Sequence, residues 1–297
     1  MGPIGEPASP NRTTPPGPSR ARARARGATR LLRVASFVVF HSAVLRLQAV
    51  LTKPSARPRL RAERQRWACR HICRVIGIDV HVDPAARHDA ASLIVANHLG
   101  PFDAIILSSV FPVAFVGKAE LLRWPLIGWV CRSVGLIGAD RASRMSSRAL
   151  VEAIRERIAD NVSVLAFPEG TTSDGSAVAP FKTGAFEAAG YGACNVLPVA
   201  VRTTAINGTA LRDPAGSALT WSDPAVSFAS HCWGVLGIAH ADVAVAVGRP
   251  IPTIGRDRRI LAAEAHSAVS SLYRRLPGEG PSRFNNRKPR TADTDNV

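Results

Sequence analysis

The 297-residue sequence predicts an α/β fold: a single domain with a mostly parallel mixed sheet covered by helices, preceded by an N-terminal membrane-associating helical segment. Three observations lead there. Short apolar runs of strand length alternate with longer helix-like segments, the pattern of a sheet covered on both faces. Several of those runs, such as Ser92–Asn97 and Val162–Phe167, lack the polar alternation of a half-exposed strand. Finally, positive charge is gathered ahead of the first run. Residues 1–70 hold 15 Lys or Arg against Glu6 and Glu63, so all but three of the chain's net +16 charges lie there.

Taken in order, residues 1–30 are rich in Pro, Gly, Ser and Arg and are expected to form a disordered basic tail. Residues 31–76 read as a membrane-interfacial helical region. Within it, Leu31–Leu51 mixes Val, Phe, Leu and Ala with Arg33, His41 and Arg46. The stretch between the two arginines is short for a spanning helix and suits one lying in the interface, its arginines snorkelling. A tilted spanning helix and a signal peptide are the alternatives. Lys53–Arg66 is a second basic stretch containing Pro54 and Pro58, and Glu63–Ile76 has helical spacing.

Residues 77–276 form the predicted α/β domain. Ile78–Val82, Ser92–Asn97, Val113–Gly117, Val162–Phe167, Val196–Arg202 and Asp242–Val247 read as strands. Ala104–Val110, Leu126–Ser133, Ser146–Asp160 and Arg258–Leu276 read as helices. Residues 277–297 are polar and are expected to form a flexible tail.

Charged residues at 20% with 46% hydrophobic residues exclude a wholly disordered chain. A polytopic membrane protein is excluded because no charge-free run of 18 apolar residues occurs. Five cysteines do not make a disulfide framework, and Cys69–His71–Cys73 lacks the second pair of a zinc site, so buried thiols in a reducing compartment are expected. No metal site is suggested.

The chemistry begins at LIVANHLGPFDAIIL. A buried strand ends at Asn97, His98 follows, Gly100–Pro101 force a turn, and Asp103 opens the next helix. A carboxylate at a helix start stays ionised beside the free N–H groups. Folded back, it can accept the Nδ1 proton of His98 and leave Nε2 free as a general base. The plain alternative is a helix cap beside a surface histidine. Since GxSxG, GxxxxGK[ST] and GxGxxG are all missing from the sequence, the simplest use of such a base is to activate a hydroxyl of the substrate itself.

A second cluster, FPEGTTSDGSAVAPFKTGAFEAA, sets Glu169–Gly170 in a sharp loop after a strand. Thr171, Thr172 and Ser173 follow, and Lys182–Thr183 precede a helix. In the third, VGKAELLRWPLIGWVCRSVGLIGADR, Lys118 follows a strand and Arg141 ends the segment. Trp124 and Trp129 read as core packing, with a membrane-facing or acyl-lining role as the alternative.

Together NHLGPFD, VGKAELLRWPLIGW, GLIGADR, FPEGTTSDG and NVLPVAV occur in an order that resembles the glycerolipid acyltransferase family, whose members include PlsC-type 1-acyl-sn-glycerol-3-phosphate acyltransferases. The likeness spans about Arg64 to Tyr273. It implies an O-acyltransferase of phospholipid biosynthesis, acting at the cytoplasmic face of a membrane. His98 would deprotonate an acceptor hydroxyl for attack on the thioester of acyl-CoA or acyl carrier protein, with Asp103 orienting it. The resemblance also implies acceptor-binding roles for Lys118, Arg141, Glu169 and Gly170, with Thr171 and Thr172 in the same loop. Gly135 matches the second block, and Pro198 falls in an apolar block near the acyl site.

No cofactor is implied beyond the acyl-CoA or acyl carrier protein co-substrate. The partners are a lysolipid and an anionic membrane surface. Two positions depart from the pattern. Gly138 stands where a larger residue is common, and Thr172 where lysophosphatidate enzymes carry an arginine. EGTTSDG is more similar to the branch acylating lyso-ornithine lipid, which is the alternative to a lysophosphatidate-like acceptor. A different class, a non-catalytic basic adaptor, would bind membrane or nucleic acid through residues 1–70. Nucleic acid is not expected, because no aromatics interleave the basic arm.

Overall fold

A computed structural model of the protein describes residues 20–83, 90–125, 127–139, 144–190, 194–213 and 216–276. Its first element, α1 (Arg20–Leu51), corrects the expected disorder of residues 20–30. The alternating Ala and Arg there are good helix formers, and no proline falls between Arg20 and Lys53. The remaining residues 1–19 and the tail 277–297 lie outside the described residues. After a 3-10 turn at Pro54–Ala56 comes α2 (Arg57–Ile76). Pro54 and Pro58 both occupy first-turn positions, where a missing N–H leaves no helical bond unmade. Gly77 ends α2 in the left-handed region at φ 77°, and a Cβ there would lie 2.4 Å from Arg30 Nη2.

The domain follows with β1 (Ile78–Val82), β2 (Ser92–Ala96), α3 (Phe102–Val110), β3 (Val113–Lys118), a 3-10 turn at Ala119–Arg123, α4 (Ile127–Val134) and β4 (Ile137–Ala139). Next come α5 (Arg144–Ala159), β5 (Ser163–Ala166), α6 (Phe186–Ala189), β6 (Asn195–Ile206), β7 (Thr209–Ala210), α7 (Phe228–Gly237), β8 (Ala241–Val247) and α8 (Arg258–Arg275). The sheet order is β1-β8-β6-β2-β5-β3-β4, with β7 paired to β6. The strands β6, β2, β5, β3 and β4 are mutually parallel, whereas β8 runs antiparallel to β6. This is the mostly parallel mixed sheet that the sequence predicts.

Alternate residues of one strand feed two cores. Leu93 and Val95 of β2 pack with Ile154, Phe186, Leu261 and Val269 on one face. Ile94 and Ala96 pack with Ile76, Ile106, Leu107 and Val235 on the other. Both faces are covered, so β2 is buried along its whole length.

The helix α1 packs on α2, α4 and α7. Arg30 donates to the carbonyls of Leu236, Ile238 and Ala239, satisfying the free C-terminal end of α7. The opposite face of α1 leaves Leu31, Leu32, Phe40, Leu47, Val50 and Leu51 exposed. Because it is continuous over 32 residues, α1 is long and apolar enough to cross a membrane by length and composition.

The core-packing expectation for the tryptophans fails. Trp124 is 43% exposed and makes a T-shaped contact with Phe228, and the half-buried Trp129 lies under the Arg46 guanidinium at 5.0 Å. Both belong to the rim formed by the 3-10 turn and α4, beyond the edge of the sheet. Cys69 and Cys73 are buried free thiols whose ionisation is opposed by burial, as the sequence suggested.

Candidate active site

The site is built at the carboxyl end of β2. Asn97 fastens that end to β6: its Nδ2 donates to Val201 O at 2.9 Å, and its Oδ1 accepts the Val201 N–H at 2.8 Å. The turn beyond is held from outside, since the Trp221 N–H donates to Leu99 O at 2.7 Å. A Cβ on Gly100 would sit 2.2 Å from Leu219 O, so only glycine fits under that strap.

Asp103, second residue of α3, then turns back on the loop. Its Oδ2 accepts from Leu99 N–H at 2.6 Å, from Gly100 N–H at 2.8 Å and from His98 Nδ1 at 2.9 Å. An ionised carboxylate can only accept, so Nδ1 carries the proton, and in the neutral imidazole Nε2 then carries the lone pair. The Asp103 side chain is 5% exposed and that of His98 is 20% exposed. The Phe167 ring stacks on the imidazole at 4.2 Å with a 15° interplanar angle. Ring, carboxylate and stacking partner hold one orientation, and Nε2 makes no hydrogen bond to the described residues.

Glu169 comes from the loop after β5, next to β2 in the sheet. It is buried, and both its oxygens are engaged. Its Oε1 accepts the His98 N–H at 2.7 Å and Oε2 accepts the Ala179 N–H at 3.0 Å. Burial pushes its carboxyl above the usual carboxylate range, and the two N–H bonds offset part of that rise. Glu169 thus ties the His98 backbone to the loop and faces away from solvent.

Gly170 follows with φ 75°, and a Cβ there would lie 2.7 Å from Lys182 Nζ. The glycine therefore lets the Lys182 side chain lie across the loop, while the Lys182 N–H donates to Pro168 O at 2.9 Å. Ser173 N–H donates to His98 O at 2.9 Å, which brings Thr171 (exposed) and Thr172 (half-buried) beside the histidine.

Lys118 ends β3, which is parallel to β5, so it lies at the same end of the sheet and is exposed. Arg141 lies outside the described residues. Gly138, one of the departures, has a local cause: its Cβ would approach Leu122 Cδ1 to 2.9 Å under the 3-10 turn.

The structure therefore gathers His98, Asp103, Glu169, Gly170 and the Thr171–Ser173 loop into one site, with Lys118 at the same sheet end. Sequence reasoning passed over Lys182 as a residue preceding a helix. Its only signal was a lone cation within a loop otherwise made of turn formers.

Fold and site are those of an α/β protein with a histidine hydrogen-bonded to an aspartate at the carboxyl end of a mostly parallel sheet. A family model described as Acyltransferase matches residues 77–202. The chain is 30% identical over 211 residues to a lyso-ornithine lipid O-acyltransferase of Brucella abortus, covering 68% of this chain and 79% of that protein. It is 34% identical over 127 residues to a 1-acyl-sn-glycerol-3-phosphate acyltransferase of Neisseria gonorrhoeae, covering 43% of this chain and 49% of that one. The crystal structure of the acyltransferase PlsC from Thermotoga maritima superposes with a TM-score of 0.60 at 20% identity, covering 87% of this chain and 99% of that chain. The protein belongs to the acyltransferase family.

Proposed function

We propose that this protein transfers a fatty acyl group from an acyl-CoA or acyl carrier protein thioester to the hydroxyl of lyso-ornithine lipid. The observation that carries the reaction is the His98 Nδ1–Asp103 contact of 2.9 Å with Nε2 left free. Nε2 takes the proton of the acceptor hydroxyl as its oxygen attacks the thioester carbonyl. Collapse of the tetrahedral intermediate expels the thiolate, to which the imidazolium returns the proton. Asp103 stabilises the positive charge on the ring between those steps. Glu169 acts as a positioning residue through the His98 backbone. Lys118, Lys182, Thr171 and Thr172 face the acceptor headgroup, and Arg141 joins them by its match to the family block.

The acceptor reading replaces the lysophosphatidate-like one that the motifs first suggested. In sequence, the Brucella lyso-ornithine lipid acyltransferase aligns over 68% of this chain and the Neisseria lysophosphatidate enzyme over 43%. Thr172 also withholds a cation that a phosphate would pair with. An N-acylated ornithine headgroup carries one carboxylate and one ammonium. The exposed Lys182 suits the first, and Asp174 of the same loop, held ionised by N–H and O–H bonds from Ser176, suits the second. The apolar outer face of α1 and its arginines bind the membrane in which the lipid resides.

The test offers a panel of lysolipids with labelled palmitoyl-CoA and identifies each product by mass. Lyso-ornithine lipid is expected to be acylated fastest. Preference for lysophosphatidate would overturn the acceptor assignment, and transfer to none of the panel would favour the non-catalytic adaptor.

A further inference from the structure

A second cluster of ionisable side chains lies on the β1–β8 edge, apart from His98. In β1, Ile78, Val80 and Val82 face the core, as do Ala241, Val243 and Val245 of β8. Strand periodicity leaves Asp79, His81, His240 and Asp242 together on the opposite face. The parallel register sets Asp79 beside Asp242. Asp242 Oδ1 lies 2.9 Å from His81 Nε2 and 3.3 Å from His240 Nε2, and Asp79 Oδ2 lies 3.8 Å from His240 Nε2. One donor atom each of Asp79, His240 and Asp242 lies within 4.8 Å of the other two.

Two adjacent carboxylates repel and call for a cation. The chain has 38 Lys and Arg, yet among the described residues none places a nitrogen within 4.0 Å of either carboxylate. Imidazoles stand there instead, and a neutral imidazole is a metal ligand. A tetrahedral ion with ligand bonds of about 2.0–2.2 Å holds its donor atoms roughly 3.3–3.5 Å apart; His240 Nε2 and Asp242 Oδ1 already stand 3.3 Å apart, while Asp79 Oδ2 is 3.8 Å from His240 Nε2. The Asp242 side chain, 13% exposed, is fixed, whereas that of Asp79, 63% exposed, is free to close the remaining gap. Calcium and magnesium favour all-oxygen shells, so a mixed imidazole and carboxylate set favours a first-row transition ion, of which zinc takes the tetrahedral geometry.

We propose that Asp79, His240 and Asp242 form a zinc site, with His81 orienting Asp242 from outside. The site stands apart from His98, and its three protein ligands leave the fourth position of the ion to water. Asn97 meets β6 at Val201, whereas the cluster adjoins Ala241, which pairs with Ile206 five residues further along β6. His240 follows Ala239, whose carbonyl accepts from Arg30 of α1, and Asn207 Oδ1 accepts the N–H groups of Ala239 and His240. Zinc here braces β1 against β8 where α1 is seated on the domain.

The experiment strips full-length protein in detergent with a chelator, dialyses it against ZnCl2 and measures bound zinc. The wild type and His98→Ala are expected to bind one zinc per chain. Asp242→Asn and Asp79→Asn should each lose it, with circular dichroism unchanged in Asp79→Asn because that side chain is exposed. Zinc should raise the melting temperature of the wild type and not of Asp79→Asn. Cobalt in place of zinc should show no thiolate charge-transfer band, which excludes the five cysteines as ligands. Absence of bound zinc, binding that survives Asp79→Asn, or a thiolate band would each overturn the proposal.

Discussion

Replacing Asp103 with Asn removes one charge and almost no volume, which isolates what the carboxylate does for His98. Asp103 Oδ2 receives three donors, two of them backbone N–H groups at 2.6 and 2.8 Å. Asparagine must therefore place its carbonyl oxygen there, because its amide NH2 would face donors. The histidine keeps its tautomer, and the loss is confined to the negative charge opposite the imidazolium. A unit charge pair about 4 Å apart at an effective dielectric near 20 is worth about 4 kcal/mol. That energy corresponds to roughly a thousandfold in rate. The loss should fall on kcat and leave KM for the lysolipid nearly unchanged, since the Asp103 side chain is buried behind His98. The assay is initial rates of labelled palmitoyl transfer in mixed micelles, with a melting curve to confirm the fold. A folded variant within about tenfold of wild-type kcat would refute the claim that Asp103 stabilises the charged ring.

Gly100→Ala should lower stability by about 1–3 kcal/mol through overpacking against the Leu219 carbonyl and should displace the His98 loop. Unchanged unfolding midpoint and activity would show that the strap yields. Glu169→Gln tests the buried carboxyl. The unfolded chain ionises near the ordinary value of 4.5 and the folded chain above it, so wild-type stability should fall as pH rises through that interval. Denaturant midpoints across mildly acidic pH should show that slope in the wild type and not in the variant, and equal slopes would contradict it. Leu32→Glu and Phe40→Glu change exposed positions on α1. Each should cost roughly 1.5–3 kcal/mol of membrane affinity in vesicle co-sedimentation while leaving the melting temperature unchanged, and undiminished binding would place the membrane contact elsewhere.

The strands were legible where burial on both faces makes them continuously apolar. Ile78–Val82 matches β1 to the residue, and Ser92–Asn97 overruns β2 only by Asn97, whose side chain continues the pairing to β6. The HxxxxD spacing disclosed its geometry because a Gly–Pro turn and a helix start leave a carboxylate little freedom. Other features depend on contacts that spacing does not encode. The helix α7 went unread because its apolar residues include exposed Phe228 and Trp233 beside buried Val235 and Leu236. The three residues of β4 are too few for a period, and β7 has two. The family resemblance implied an acceptor-binding role for Glu169, and spacing does not encode that its oxygens turn inward to two backbone N–H groups. The disorder read into residues 20–30 came from averaging arginine-rich helix with the proline-rich stretch before it.

Everything in the proposed reaction passes through Nε2 of His98, and His98→Ala examines it most directly. With labelled palmitoyl-CoA and lyso-ornithine lipid, the variant is expected to lose about 10²–10⁴-fold in transfer rate while melting at the wild-type temperature. A folded variant transferring at the wild-type rate would contradict the assignment of that ring as the base.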